Sequence, residues 1–144
     1  MKKIIALLTA VLMITCAASA FAADEITVNI NGEAVEFDIQ PAVEDGTLLL
    51  PFRFIAEKLG GNVQWFEENS ENISIRQVLC QIGENICIMQ IGNSTIFVNS
   101  EAVTLEKAPE IYVNRTLVTA KAIESITGAS VIWNEEEGKV DIVK

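Results

Sequence analysis

The sequence predicts an α+β fold: two β-β-α-β-β pseudo-repeats, with antiparallel strands packed on two short helices and a β-hairpin bridge between them. Three observations predict it. Displacing the sequence by 68 positions aligns 35 residues without a gap. Asn31 falls on Asn99, Pro41 on Pro109, Gly60 on Gly128 and Trp65 on Trp133, and the chain has only two Trp, so a shared period explains the match better than chance. Apolar and polar residues alternate on both sides of Asn31-Gly32, a dipeptide that tolerates the positive φ of a tight hairpin turn. Phe52, Ile55, Ala56 and Leu59 recur at i, i+3, i+4 and i+7, which is one face of a helix.

The elements follow in order. Ile26, Val28 and Ile30 alternate in the first strand, and Val35, Phe37 and Ile39 in the second. A two-residue turn places Val28 opposite Val35, so both strands put their apolar sides on one face. Leu48-Leu49-Leu50 is a short apolar strand. Pro51 then opens a helix, where its missing N–H costs nothing, and Gly60-Gly61 stops it. Val63 and Trp65 alternate with polar neighbours, and a polar turn over Glu67 to Asn72 leads to Ile73 and Ile75, which a one-residue indel sets against Val140 and Ile142. In the second copy Thr119 replaces the proline and serves as N-cap. Ala120 and Thr127 replace Phe52 and Leu59, so the apolar face moves towards Ala122, Ile123 and Ile126. The bridge carries Val78, Cys80 and Ile82, a turn near Gly83-Glu84, Ile86 to Ile91, and a turn at Gly92-Asn93. The pseudo-repeats span about 26–76 and 94–144, and no Pro/Ser linker separates them, so a single domain over 23–144 is expected.

The first residues predict export. Lys2 and Lys3 precede an apolar run from Ile4 to Ala18, and Ala20-Phe21-Ala22 reads as a cleavage site, so residues 1–22 are a cleaved signal peptide. Thr15 and Met13 fit a lipoprotein signal poorly, so Cys16 is discarded with the peptide. No later stretch is long enough to span a membrane, and no sorting motif is seen, so a secreted or cell-surface location is expected. The formal net charge is −10, and it grows more negative once Lys2 and Lys3 are removed. Such a chain repels nucleic acid and anionic membrane surfaces.

The string Val28 to Val35, then Pro41, Thr47 to Gly61, and Val63 to Trp65 resembles the copper amine oxidase N-terminal-like domain, also called the stalk domain of bacterial surface and secreted proteins. Ile91-Gly92, Val98-Asn99, Ala108-Pro109 and Thr116-Leu117-Val118 resemble its linking hairpin and second half. Two positions depart. Thr119-Ala120-Lys121 stands where the family shows Pro-x-Arg, and Ser100 stands where a turn glycine is common. The resemblance implies an α+β extracellular module without amine oxidase chemistry, because copper and the modified tyrosine cofactor belong to a different, larger domain. It does not name a ligand.

The residues themselves narrow the chemistry. The chain has no histidine, which removes Ser-His-Asp and Cys-His catalysis and the commonest copper and zinc ligand. Cys80 and Cys87 fall opposite each other if the turn is Gly83-Glu84. They form a cross-strand disulfide, or pack as two free buried thiols, or with Met89 offer a soft copper(I) site. Arg53 opposes the helix dipole in the first helical turn. It either pairs with a carboxylate of its own half or anchors a ligand, and Lys121 repeats it. Trp65 and Trp133 alternate with Val63 and Val131, which assigns them to the core; the alternative is stacking on a sugar ring. Glu67, Glu68 and Glu135 to Glu137 sit in equivalent turns and offer paired carboxylates. The expected function is a secreted, non-catalytic binding or assembly module at the bacterial cell surface, with no cofactor. Its partner would be an extracellular protein or cell-wall glycan, without nucleic acid or membrane. Exposed strand edges also allow a homo-oligomer. A carboxylate-dependent glycan hydrolase and a copper-binding protein are the alternatives.

Overall fold

In the computed structural model, residues 25–144 are described; the expected signal segment 1–22, with Cys16, lies outside them. β1 (Thr27–Ile30) and β2 (Glu33–Val35) form the expected first hairpin. Asn31 and Gly32 take φ 50° and 80°, and Val28 faces Val35. A second hairpin joins β3 (Ala42–Glu44) to β4 (Thr47–Pro51) through Asp45-Gly46 at φ 49° and 78°. Only β4 is legible from its apolar run. A three-residue strand is too short to show a period, so β3 is additional to the expected strands.

Pro51 ends β4 in extended backbone and caps α1 (Phe52–Lys58), whose Phe52, Ile55 and Ala56 are buried as expected. Gly61 donates its N–H to the Ala56 carbonyl at 2.8 Å. A side chain there is excluded, because its Cβ would stand 2.9 Å from the same oxygen.

The chain continues through β5 (Asn62–Ser70), β6 (Ile73–Ile82) and β7 (Asn85–Gln90). The expected polar turn over Glu67 to Asn72 is therefore mostly strand, and only Glu71-Asn72 turns. Trp65 faces Val78, whereas Trp133 faces Val140. The turn into β7 falls at Gly83-Glu84 as expected, with Gly83 at φ 57°.

β8 (Thr95–Val98) and β9 (Glu101–Thr104) turn through Asn99 and Ser100, both at positive φ. β10 (Glu110–Tyr112) and β11 (Arg115–Thr119) turn through Val113 and Asn114 at φ 46° and 59°. A β-branched residue at that φ is strained. α2 (Ala120–Thr127) starts on Thr119, whose hydroxyl accepts the Ala122 N–H at 3.3 Å, the expected cap. Ala122, Ile123 and Ile126 are buried. Thr127 is also buried, and its hydroxyl donates to the Ile123 carbonyl at 2.6 Å, so the polar group that replaces Leu59 is satisfied inside the helix. β12 (Ser130–Asn134) and β13 (Lys139–Val143) complete the chain.

Three sheets result. One has the order β10-β11-β4-β3, with Leu50 facing Val118 at its centre. One has the order β12-β13-β1-β2, in which β13 runs parallel to β1. The five-stranded sheet runs β5-β6-β7-β8-β9, antiparallel throughout, with β5 at an edge. All three sheets and both helices bury residues in one core that includes Leu50, Val118, Ile55, Ile123, Cys80 and Ile142. Alternation sends Leu79, Ile88 and Phe97 to the outer face of the five-stranded sheet, in register across β6, β7 and β8. Among the described residues no helix is long and apolar enough to cross a membrane.

Candidate binding cleft

Cys80 and Cys87 face each other across β6 and β7, as the turn position requires. Both are unbonded and fully buried. Burial pushes the Cys80 thiol up to about 11 and, with Cys80 beside it, the Cys87 thiol up to about 12. Met89 is buried two residues along the same strand. A copper(I) site needs thiolates, and the apolar setting favours neutral thiols. Among the described residues no cluster of three or more Cys, Asp or Glu is placed to hold a metal ion.

An unfolded thiol ionises near 8.5. Above that pH the unfolded chain loses protons that the folded chain retains. Stability is therefore whole below about pH 8.5 and falls as the pH rises towards 11, by roughly 1.4 kcal/mol per pH unit for each thiol. The urea midpoint should drop between pH 8 and pH 10.5 by more than that of the Cys80→Ala, Cys87→Ala double variant. Parallel curves for the two proteins would show that the thiols carry none of it.

The other candidates fall into two groups. Arg53 leaves the start of α1, donates from Nη1 to the Val63 carbonyl at 3.1 Å, and lies 3.6 Å from the Glu57 carboxylate. It thus has the expected partner in its own half, but both side chains are about half exposed, and such a surface pair adds little stability. Lys121 does not repeat the arrangement. It is exposed and donates to the Thr104 carbonyl at 2.6 Å. Trp133 is partly buried against the core, as expected. Trp65 corrects the expectation: it is 36 % exposed. β5 runs beyond the edge of the core, and Trp65 stands where buried Val63 gives way to exposed Glu67.

Trp65 and Arg53 meet in a cleft of about 470 Å³. Its walls include Arg53, Arg76, Arg115, Trp65, Glu67 and Ile111, and Phe52, Val63 and Val78 supply buried apolar surface. Arg53, Arg76 and Arg115 are all the arginines of the chain. β6 brings Arg76 opposite Glu67 on β5. The β10–β11 hairpin brings Arg115 from the four-stranded sheet. Arg115 hydrogen-bonds the Asp38 carboxylate through Nε at 2.8 Å and through Nη2. That bond holds Asp38 below its ordinary range and raises Arg115. Among the described residues no carboxylate lies within ion-pair distance of Arg76.

Sequence reasoning missed Arg76 and Arg115. The available signal was compositional: three arginines in so acidic a chain invite the question of whether they meet. The turn carboxylates do not converge. Glu67 and Glu68 lie in β5, and only Glu135 to Glu137 lie in a turn. Carboxylates do interact elsewhere. Lys107 is 2.9 Å from Glu44 and holds it ionised, while burial and the neighbouring Glu44 raise Glu110. Lys107 also lies 3.8 Å from Asp45, so this is a surface charge network.

No curated protein and no solved structure matches the chain. A family model described as the copper amine oxidase N-terminal domain matches residues 29–142, nearly the whole described structure, and the chain therefore belongs to the copper amine oxidase N-terminal domain family.

Proposed function

We propose that the protein is a secreted, non-catalytic binding module acting at or near the bacterial cell surface, and that the arginine cleft is where it meets its partner. The observation that carries this reading is the convergence of all three arginines and a part-exposed tryptophan on one cleft of a chain with net charge −10. Arg53 and Arg115 meet Glu57 and Asp38 of the chain itself, which leaves Arg76, among the described residues, as the guanidinium of the cleft without an ion pair. Family membership supports an accessory module rather than a catalytic one.

We further propose that the chain arose by duplication. The starts of β1, β2, β3, β4, α1 and β5 recur 68 residues later in β8, β9, β10, β11, α2 and β12. Leu50 and Val118, themselves 68 residues apart, face each other. This supplies an internal control. The positions answering Arg53 and Arg115 are Lys121 and Thr47, and Lys121 is turned onto Thr104. The equivalent place, with Lys121 and Thr47, carries no arginine cluster, so the fold itself does not require one.

Sedimentation with isolated bacterial cell walls that retain their surface proteins tests the reading. The exported chain should co-sediment and release no soluble wall fragments. The Arg53→Ala, Arg76→Ala double variant, still folded by circular dichroism, should stay in solution. Release of fragments, or a wild-type chain that never pellets, would sink it.

A further inference from the structure

We infer that the cleft takes an acidic segment of a partner protein, laid in extended form along the free edge of β5; this deepens the binding reading above and rests on it. Three observations point to the same ligand. The cleft walls hold Arg53, Arg76 and Arg115; Glu57 and Asp38 already face Arg53 and Arg115, and Arg76 stands opposite Glu67 on β5 without an ion pair among the described residues, so its guanidinium is the one open to an incoming carboxylate. A guanidinium presents a planar fork of N–H donors that matches a carboxylate, and Arg76 has no carboxylate of its own within ion-pair reach among the described residues.

The second observation is the strand edge. β5 is the outermost strand of its sheet and pairs with β6 alone. Ser70 and Ile73 flank the two-residue turn Glu71-Asn72, so they exchange both backbone bonds, and every second residue back along β5 does the same. The residues between them, Trp65, Glu67 and Asn69, aim their backbone N–H and C=O groups at the open edge. Val63 follows the same parity, and its carbonyl is the one that accepts from Arg53 at 3.1 Å. An extended peptide can therefore add as a sixth strand, its backbone bonding to β5 and its acidic side chains meeting the guanidinium groups. A glycan has no row of amides to match that edge, and free phosphate shares only the guanidinium contact.

The third observation is the rim. The β10–β11 hairpin presents Tyr112 and Val113, 58 % and 62 % exposed, next to Asn114 and Arg115 in the cleft wall. Val113 holds φ 46°, a backbone conformation costly for a β-branched side chain, whereas the position 68 residues earlier is Asp45 in the relaxed Asp45-Gly46 turn. The strained turn keeps apolar side chains beside the cleft, the aromatic and aliphatic edge that a peptide contact uses.

Titration calorimetry on the exported chain tests the inference with four probes: hexaglutamate, hexaglutamate N-methylated at alternate residues, polygalacturonate and inorganic phosphate. Hexaglutamate should bind, and its affinity should fall as salt is raised. Arg76→Ala, an exposed change that should leave the thermal midpoint in place, should weaken it at least tenfold. N-methylation, which removes the donors that β5 would accept, should also cost at least tenfold, and phosphate should bind at least tenfold more weakly. Polygalacturonate binding as tightly as hexaglutamate would overturn the peptide assignment in favour of an acidic glycan. Equal affinity for the methylated peptide, or indifference to Arg76→Ala, would overturn the strand-edge placement. If hexaglutamate fails while the arginine variants still abolish wall retention, this inference falls and the binding reading stands. If retention is also lost for the wild type, both fall.

Discussion

Removing Lys139 to Lys144 should abolish cooperative folding. The deletion takes out β13, which lies between β12 and β1 and pairs with both. It removes Val140 and Ile142, each fully buried, at about 1.5–3 kcal/mol of lost burial apiece. It also strands the backbone groups of β1 and β12 that β13 had satisfied, and each buried group left unpaired costs about 1–3 kcal/mol. Together these exceed the roughly 5–15 kcal/mol that holds a domain folded. Circular dichroism should show no cooperative thermal transition in the truncated chain. A transition near the wild-type midpoint would mean that the first three strands of that sheet stand without their centre.

Phe52→Ala should lower stability by about 3–5 kcal/mol, the usual cost of emptying a buried aromatic site. Phe52 is 1 % exposed, opens α1 and packs in the common core. For a domain of this size each kcal/mol moves the midpoint by about 4 °C, so a fall of about 12–20 °C is expected in a thermal melt. Phe52→Leu, closer in volume, should lose much less. Phe52 also precedes Arg53 in the chain and contributes to the cleft. A fall of only a few degrees on truncation to alanine would show that the cleft side of the core is already loosely filled.

Much of the local structure was legible because its cause is local. Asn31-Gly32 sets the first hairpin through the φ its residues tolerate, and the observed angles agree. The buried face of each helix follows from spacing, and the opposition of Cys80 and Cys87 follows from one glycine at Gly83. The unread parts depend on partners distant in the chain. β3 and β10 are three residues long and exist because β4 and β11 need neighbours. The exposure of Trp65 depends on where the core ends relative to β5, which alternation with Val63 does not encode. The cleft was invisible for the same reason. Arg53, Arg76 and Arg115 sit on three different elements, and only the strand order brings them together.

The parallel pairing of β1 with β13 has a consequence in time. Thr27 bonds to Gly138, a partner 111 residues downstream. A ribosome adding about 5–20 residues per second needs roughly 5–20 s to deliver that partner. Throughout this interval β1, which carries the core residues Val28 and Ile30, lacks the strand it pairs with in the folded sheet. Biogenesis thus has a late step, in which the arrival of β13 closes the sheet.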